Sequence, residues 1–222
     1  MSVSACAAVI FDMDGVIIDS EENWERARLA VVAQFGGTYH PVMAQDLMGM
    51  SPPEWSVYLR DRVGIPLSAE AIRREVTRQL EADYERDQPF FPGAVDAVRA
   101  VSRRWPVAIA SSSGRELIDL VVRLAGLGDA VTVSVSAAEA GRGKPAPDVY
   151  LRAAELLGAS PPACAAVEDS SNGIRAGKNA GMRVIAIPTA AFPAAPEALA
   201  LADAVLPSIR DLTPAAIEAA FG

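Results

Sequence analysis

The sequence predicts an α/β fold: a parallel sheet with helices on both faces, interrupted once by an all-helical insertion. Two observations carry this expectation. Short, continuous apolar runs recur along the chain, each followed by a helix-period pattern. Runs of that kind fit strands buried on both faces of a parallel sheet. The stretch from Ser20 to about Gln88 breaks the rhythm, because it holds no strand-like run.

The first run, Ala7–Phe11, ends at Asp12. Comparable runs are Val107–Ala110, Val131–Val135, Ala163–Val167 and Val184–Ile187, with a weaker one at Ala204–Leu206. Helical patterns fall between them at Ala94–Arg103, Arg115–Ala125, Pro147–Leu157 and Asn172–Ala180. Alternation at this spacing implies right-handed crossovers between parallel strands. Within the insertion the pattern gives three helices: Glu21–Phe35, Pro53–Val63 and Ala69–Arg86. Ser68 is placed to cap the last of these. Gly36-Gly37, Gly64 and Pro66 mark the joins. The expected division is residues 1–17 and 89–222 for the sheet domain, and 18–88 for the insertion. Pro188–Pro196, rich in Ala and Pro, reads as a loop.

Half of the 222 residues are hydrophobic (51%), enough to fill a core of this size. The net charge of −8 argues against a nucleic-acid partner, since backbone binding needs clustered Lys and Arg. No run of about 18 apolar residues predicts a membrane span. A basic n-region is missing and Asp12 and Asp14 interrupt the first apolar stretch, so no signal peptide is expected. A cytoplasmic, monomeric chain is the resulting expectation. Cys6 and Cys164 both lie in apolar runs and read as reduced core thiols. His40, beside Pro41, reads as a surface residue.

In an open parallel sheet, ligands bind beyond the carboxyl ends of the strands. Four such ends carry chemistry. The first run delivers Asp12-Met13-Asp14-Gly15, two carboxylates flanking one residue and a glycine that permits a tight turn. Two acids so close need a counter-cation, or one is protonated. The second delivers Ser111-Ser112-Ser113-Gly114-Arg115 at a helix start, where hydroxyls and N–H groups suit an anion. The third leads to Gly143-Lys144-Pro145, a lysine on a restricted backbone. The fourth delivers Glu168-Asp169 onto another helix start. Taken alone, each has a plain structural reading: a turn, a serine cap, a solvated lysine, acids near a helix dipole. Their joint placement at four strand ends is what points to a site.

These residues, in this order, resemble the haloacid dehalogenase-like superfamily of phosphotransferases, over essentially the whole chain. "FDMDGVIIDSE" followed by helices resembles the subfamily with a Rossmann-like core and a helical cap. "GKPAPDVY" and "VEDSSNGIRAGKNAGM" resemble the branch of β-phosphoglucomutase and sugar-phosphate phosphatases. The resemblance implies roles. Asp12 would be the nucleophile and Asp14 the general acid/base. Ser111 and Lys144 would hold the transferring phosphoryl group. Mg²⁺ would sit on Asp12, the Asp14 carbonyl and Asp169, with Glu168 a ligand directly or through water. Ser112, Ser113, Gly114 and Arg115 on the core side, and Trp24 and Gly49 on the cap side, would meet the substrate. Arg73, Arg74 and Arg78 are weaker cap candidates, better read as a solvated helix face, and the plain reading of Trp24 is insert core.

The sequence departs from β-phosphoglucomutase at two positions. Trp24 stands where that enzyme has a histidine, and Pro52 where it has the arginine that grips a second phosphate. Losing that grip favours hydrolysis of a small phosphomonoester over phosphoryl migration, with a mutase as the alternative. A dehalogenase would lack the second acid, so Asp14 and Glu168-Asp169 argue against it. A non-catalytic binding protein fits poorly with every catalytic position being filled.

Overall fold

The computed structural model describes residues 5–47, 50–190 and 193–222. Six parallel strands form one sheet: β1 (Ala8–Phe11), β2 (Val107–Ser111), β3 (Val133–Ser136), β4 (Cys164–Glu168), β5 (Arg183–Ala186) and β6 (Ala204–Val205), in the order β3-β2-β1-β4-β5-β6. The chain therefore runs outward from β1 to β3 and then crosses back to β4. The switch point lies between β1 and β4, which pair in register from Ala8–Cys164 to Phe11–Val167. A crevice beyond the strand ends is expected at such a point.

The continuous apolar runs have a direct cause. Successive strand residues point to opposite faces, and both faces are covered. Val9, Phe11, Val107, Ile109 and Val167 enter one core cluster; Ala8, Ile10, Ala108, Ala110 and Ala166 enter the other. The second face is mostly alanine, which lets helices lie close. Gly177 shows how close: a Cβ there would come within 2.8 Å of a Val184 methyl carbon.

Between β1 and β2 the chain forms α1 (Glu21–Phe35), α2 (Met43–Leu47), α3 (Pro52–Tyr58), α4 (Ala69–Asp87) and α5 (Ala94–Ser102). The expected single helix over 53–63 is divided. After Tyr58 the chain takes a π-helical turn, Leu59–Val63, ending at Gly64 with φ 78°. Ser68 caps α4, accepting from the Ala71 N–H at 3.2 Å. The two connections joining this helical insert to the sheet run side by side: the Asp19 N–H donates to Pro89 O and the Phe91 N–H to Ile17 O.

The remaining helices are α6 (Arg115–Leu124), α7 (Ala137–Ala140), α8 (Asp148–Leu156), α9 (Ser171–Asn179), α10 (Pro196–Leu199) and α11 (Pro214–Ala219). Short α2, α7, α10 and α11 span two turns or fewer, too little for a periodic signal. Cys164 is buried, but Cys6 precedes β1 and is only partly covered, so it departs from the core-thiol expectation. Both thiols are free, and burial pushes each up to about 11. Among the described residues no helix is long and apolar enough to cross a membrane.

Candidate active site

The four sequence signals converge on the C-terminal edge of the sheet around β1 and β4. Asp12 follows β1 and is 6% exposed. The alternation that buries Met13 turns Asp12 and Asp14 to the same side. Gly15 takes φ 83°, and a Cβ there would lie 2.0 Å from Asp169 Oδ2. Glycine is thus required twice over, for the turn and for the approach of the second acid pair.

Lys144 reaches into this acid cluster with its ammonium buried. Its Nζ donates to Asp12 Oδ1 at 2.7 Å, Glu168 Oε1 at 2.6 Å and Ala110 O at 3.3 Å, and stands 5.1 Å from the centre of the Tyr150 ring. Burial alone would depress its pKa, but Asp12 and Glu168 outweigh that and hold it above the usual lysine range.

The adjacent acids Glu168 and Asp169 have different surroundings. Glu168 is fully buried and saturated. Its Oε1 accepts from Lys144 and from the Tyr150 hydroxyl at 2.8 Å, and its Oε2 from the Asp169 N–H, the Ser170 N–H and the Ser170 hydroxyl. Gly173 makes room for it: a Cβ there would fall 1.8 Å from Oε1. Asp169, by contrast, has its Oδ1 buried with no hydrogen-bond partner among the described residues. Burial first, then Glu168 and Asp12, push its carboxyl well above the ordinary range, against a smaller pull from Lys144. Asp12 is driven up to about 8 by burial, with Lys144 pulling it down and Glu168 and Asp14 pushing it up.

Asp12, Glu168 and Asp169 each offer a carboxylate oxygen, all within 4.8 Å of one another. Three carboxylates face one ammonium, which leaves two uncompensated negative charges when all are ionised. That deficit, together with the orphaned Asp169 oxygen, fits a divalent cation with oxygen ligands.

Asp14 sits apart from this cluster and is only partly buried. Its Oδ1 accepts from the Ser20 hydroxyl at 2.6 Å, the Trp24 indole N–H at 3.1 Å and the Tyr84 hydroxyl at 3.5 Å. Its Oδ2 accepts from the hydroxyls of Ser113 at 2.8 Å and Ser111 at 3.3 Å. With Ser112 and Ser113 it borders a small pocket of about 60 Å³ beneath the helical insert.

Asp12, Asp14, Ser111, Ser113, Lys144, Glu168 and Asp169 are therefore brought together. Trp24, readable from sequence as insert core, also touches the site directly. Arg115 is the exception. Its guanidinium is engaged by Glu139 at 2.6 and 2.9 Å, the Ser134 hydroxyl at 2.6 Å and Ser134 O at 2.8 Å. It anchors α6 to β3 and α7, which corrects its expected place against the substrate. Gly114 precedes it as the N-cap of α6. Gly49 lies outside the described residues. Arg73 and Arg78 pair with Glu70 and Glu75 one turn earlier, and Arg73 also meets Glu116 of α6. Sequence reasoning missed Ser20, Tyr84 and Tyr150. Tyr84 and Tyr150 fall at apolar positions of helices, where nothing local distinguishes a ring in the core from a hydroxyl aimed at a carboxylate.

A model of haloacid dehalogenase-like hydrolases matches residues 6–181, the span that carries all of these groups. The chain belongs to the haloacid dehalogenase-like hydrolase family. Within it, hexitol phosphatase B of Escherichia coli (strain K12) is 36% identical over 217 residues, covering 93% of this chain and 94% of that protein. A phosphorylated carbohydrates phosphatase of Thermotoga maritima is 32% identical, covering 80% and 83%. Among solved structures, a mutant CbbY of Rhodobacter sphaeroides in complex with xylulose-1,5-bisphosphate superposes with a TM-score of 0.85 at 26% identity, covering 96% of this chain and 99% of that one. β-Phosphoglucomutase of Clostridium difficile, at 22% identity and a TM-score of 0.83, shares the fold.

Proposed function

We propose that the chain is a Mg²⁺-dependent phosphatase that hydrolyses a small phosphorylated metabolite, a sugar or polyol phosphate, through attack by Asp12. The observation that carries this reading is the convergence of Asp12, Lys144 and Asp169 beside Asp14, with Asp14 opening onto the pocket. The named phosphatases at 36% and 32% identity support the same chemistry.

Two steps follow from the residues. An Asp12 carboxylate oxygen attacks phosphorus, the bond from phosphorus to the substrate oxygen breaks, and Asp14 gives a proton to the departing alkoxide. Water then attacks phosphorus of the aspartyl-phosphate, Asp14 takes its proton, and the Asp12 carboxylate is restored as phosphate leaves. Five donors on Asp14 fix where its oxygens point during both transfers. Ser111 lies 3.3 Å from Asp14 and ends β2 at the same edge, where its hydroxyl serves the phosphoryl oxygens. Lys144 stays charged and shields Asp12 from the incoming anion.

Asp12, Asp169 and the Asp14 main-chain carbonyl would hold Mg²⁺, while Glu168, with both oxygens already occupied, fixes Lys144. When bound, the ion neutralises charge on the transferring group. The helical insert, residues 18–88, acts as a cap over the leaving group, with 1–17 and 89–222 as the core. The chain works as a soluble cytoplasmic monomer.

The test is a screen of phosphorylated metabolites with Mg²⁺, reading phosphate release. Release that is abolished by EDTA and by Asp12→Asn is expected. Unchanged release by Asp12→Asn, or steady conversion of glucose 1-phosphate to the 6-phosphate without release, overturns the reading.

A further inference from the structure

On the insert side of the pocket, Glu21 and Arg28 have no part in the reaction above, and they flank Trp24, which holds Asp14. Glu21, Trp24 and Arg28 follow one another at spacings of three and four along α1, so they share a face, and all three border the pocket. Trp55 of α3 completes that wall, its ring 5.8 Å from that of Trp24 and at 75° to it.

Two of these groups are unusual. Arg28 is 6% exposed, yet among the described residues no carboxylate oxygen lies within 4.0 Å of it. It stacks over the Trp24 ring at 5.3 Å and neighbours the Tyr39 hydroxyl. A buried guanidinium without a carboxylate in ion-pair contact is uncommon. Trp55 is 4% exposed, and its indole N–H is buried with no acceptor among the described residues. A buried donor left without an acceptor is destabilising. Both residues border the same cavity.

We propose that Glu21, Arg28 and Trp55 form a subsite for the leaving alcohol, selecting a neutral, polyhydroxylated chain over a second anion. This rests on the phosphatase reading above. Its chemistry follows from the wall. Arg28 and the Trp55 N–H donate, the Glu21 carboxylate accepts, and hydroxyl groups do both. The two indole rings supply apolar surface for the C–H faces between hydroxyls. A second phosphate or carboxylate would instead lie between two resident carboxylates, Glu21 and Asp14, with one cation to answer them. Burial, followed by Asp14, raises the Glu21 carboxyl above its usual range, against a pull from Arg28.

The test compares kcat/KM for sorbitol 6-phosphate, p-nitrophenyl phosphate and phosphoglycolate. Wild type should prefer sorbitol 6-phosphate to phosphoglycolate; the reverse preference overturns the proposal. Arg28→Met and Trp55→Phe should each lower the ratio of sorbitol 6-phosphate to p-nitrophenyl phosphate by about 10-fold, the loss of one good hydrogen bond. Arg28→Lys should recover part of that ratio. An equal loss on both substrates would mark a structural role and sink the idea. Calorimetry separates this from the reaction itself. In the Asp12→Asn background with Mg²⁺, Arg28→Met should weaken sorbitol 6-phosphate binding about 10-fold and leave inorganic phosphate binding unmoved. Selective binding without any turnover would remove the phosphatase reading alone. Sorbitol 6-phosphate binding no tighter than inorganic phosphate would remove the subsite.

Discussion

The floor of the site and its roof are held by opposite means. On the floor, Lys144, Asp12 and Glu168 form ion pairs of 2.6–2.7 Å whose side chains are at most 8% exposed. At the roof, α4 meets α6 through Arg73–Glu116 at 3.3 Å and Arg123–Glu85 at 3.1 Å, on side chains 26–64% exposed. Charges buried together are costly to separate, because the survivor stays desolvated. Exposed pairs are screened and nearly free to break. The floor is therefore fixed in shape, whereas these exposed pairs at the roof add little to what holds the insert in place.

Substitutions can break or sharpen this contrast. The largest effect belongs to Lys144. Lys144→Met should cost about 3–5 kcal/mol of unfolding free energy, read by urea denaturation, since it strands buried carboxylates. A loss below 1 kcal/mol would mean the floor is not held by that ammonium. Asp169→Asn should act in the other direction in metal-free protein at pH 8. Removing a buried, unpartnered charge should raise the melting temperature by about 2–4 °C per kcal/mol of relieved repulsion. A lower melting temperature would contradict the uncompensated cluster.

The pH dependence of the metal-free protein should have the same origin. Burial leads Asp12 to titrate near 8 in the folded chain, against 3.8 for the free side chain. Between those values the folded chain holds a proton that the unfolded chain has released. Its contribution to stability is complete below about pH 4 and is lost as pH rises through about 8. Chelated protein should thus melt progressively lower across that window, with saturating Mg²⁺ flattening the slope. The smallest effect is expected at the roof, where Arg73→Ala should change stability by less than about 1 kcal/mol. A larger loss would show the insert to be locked rather than lightly latched.

The sheet and the floor were legible in the sequence because each rests on a local rule. Continuous apolar runs mark strands buried on both faces, and the residue after each run must stand at the binding edge. Asp12, Ser111 and Glu168-Asp169 could be placed from that logic alone. The different fates of Glu168 and Asp169 could not, because they depend on Tyr150 and Lys144, 18 and 24 residues before Glu168. Arg115 misled for the same reason: its partners Ser134 and Glu139 belong to the neighbouring strand end, which local sequence does not reveal. In the insert, helix periodicity located α1 and α4 but not the face of α1 that turns Trp24 onto Asp14.

The most direct test is calorimetric titration of Mg²⁺ into chelated, metal-free protein, alongside the Asp169→Asn variant. A floor short of two positive charges should take up one ion per chain, and the variant should lose most of that binding. No uptake by the wild-type chain, or undiminished uptake by Asp169→Asn, would contradict the claim that these carboxylates await a divalent cation.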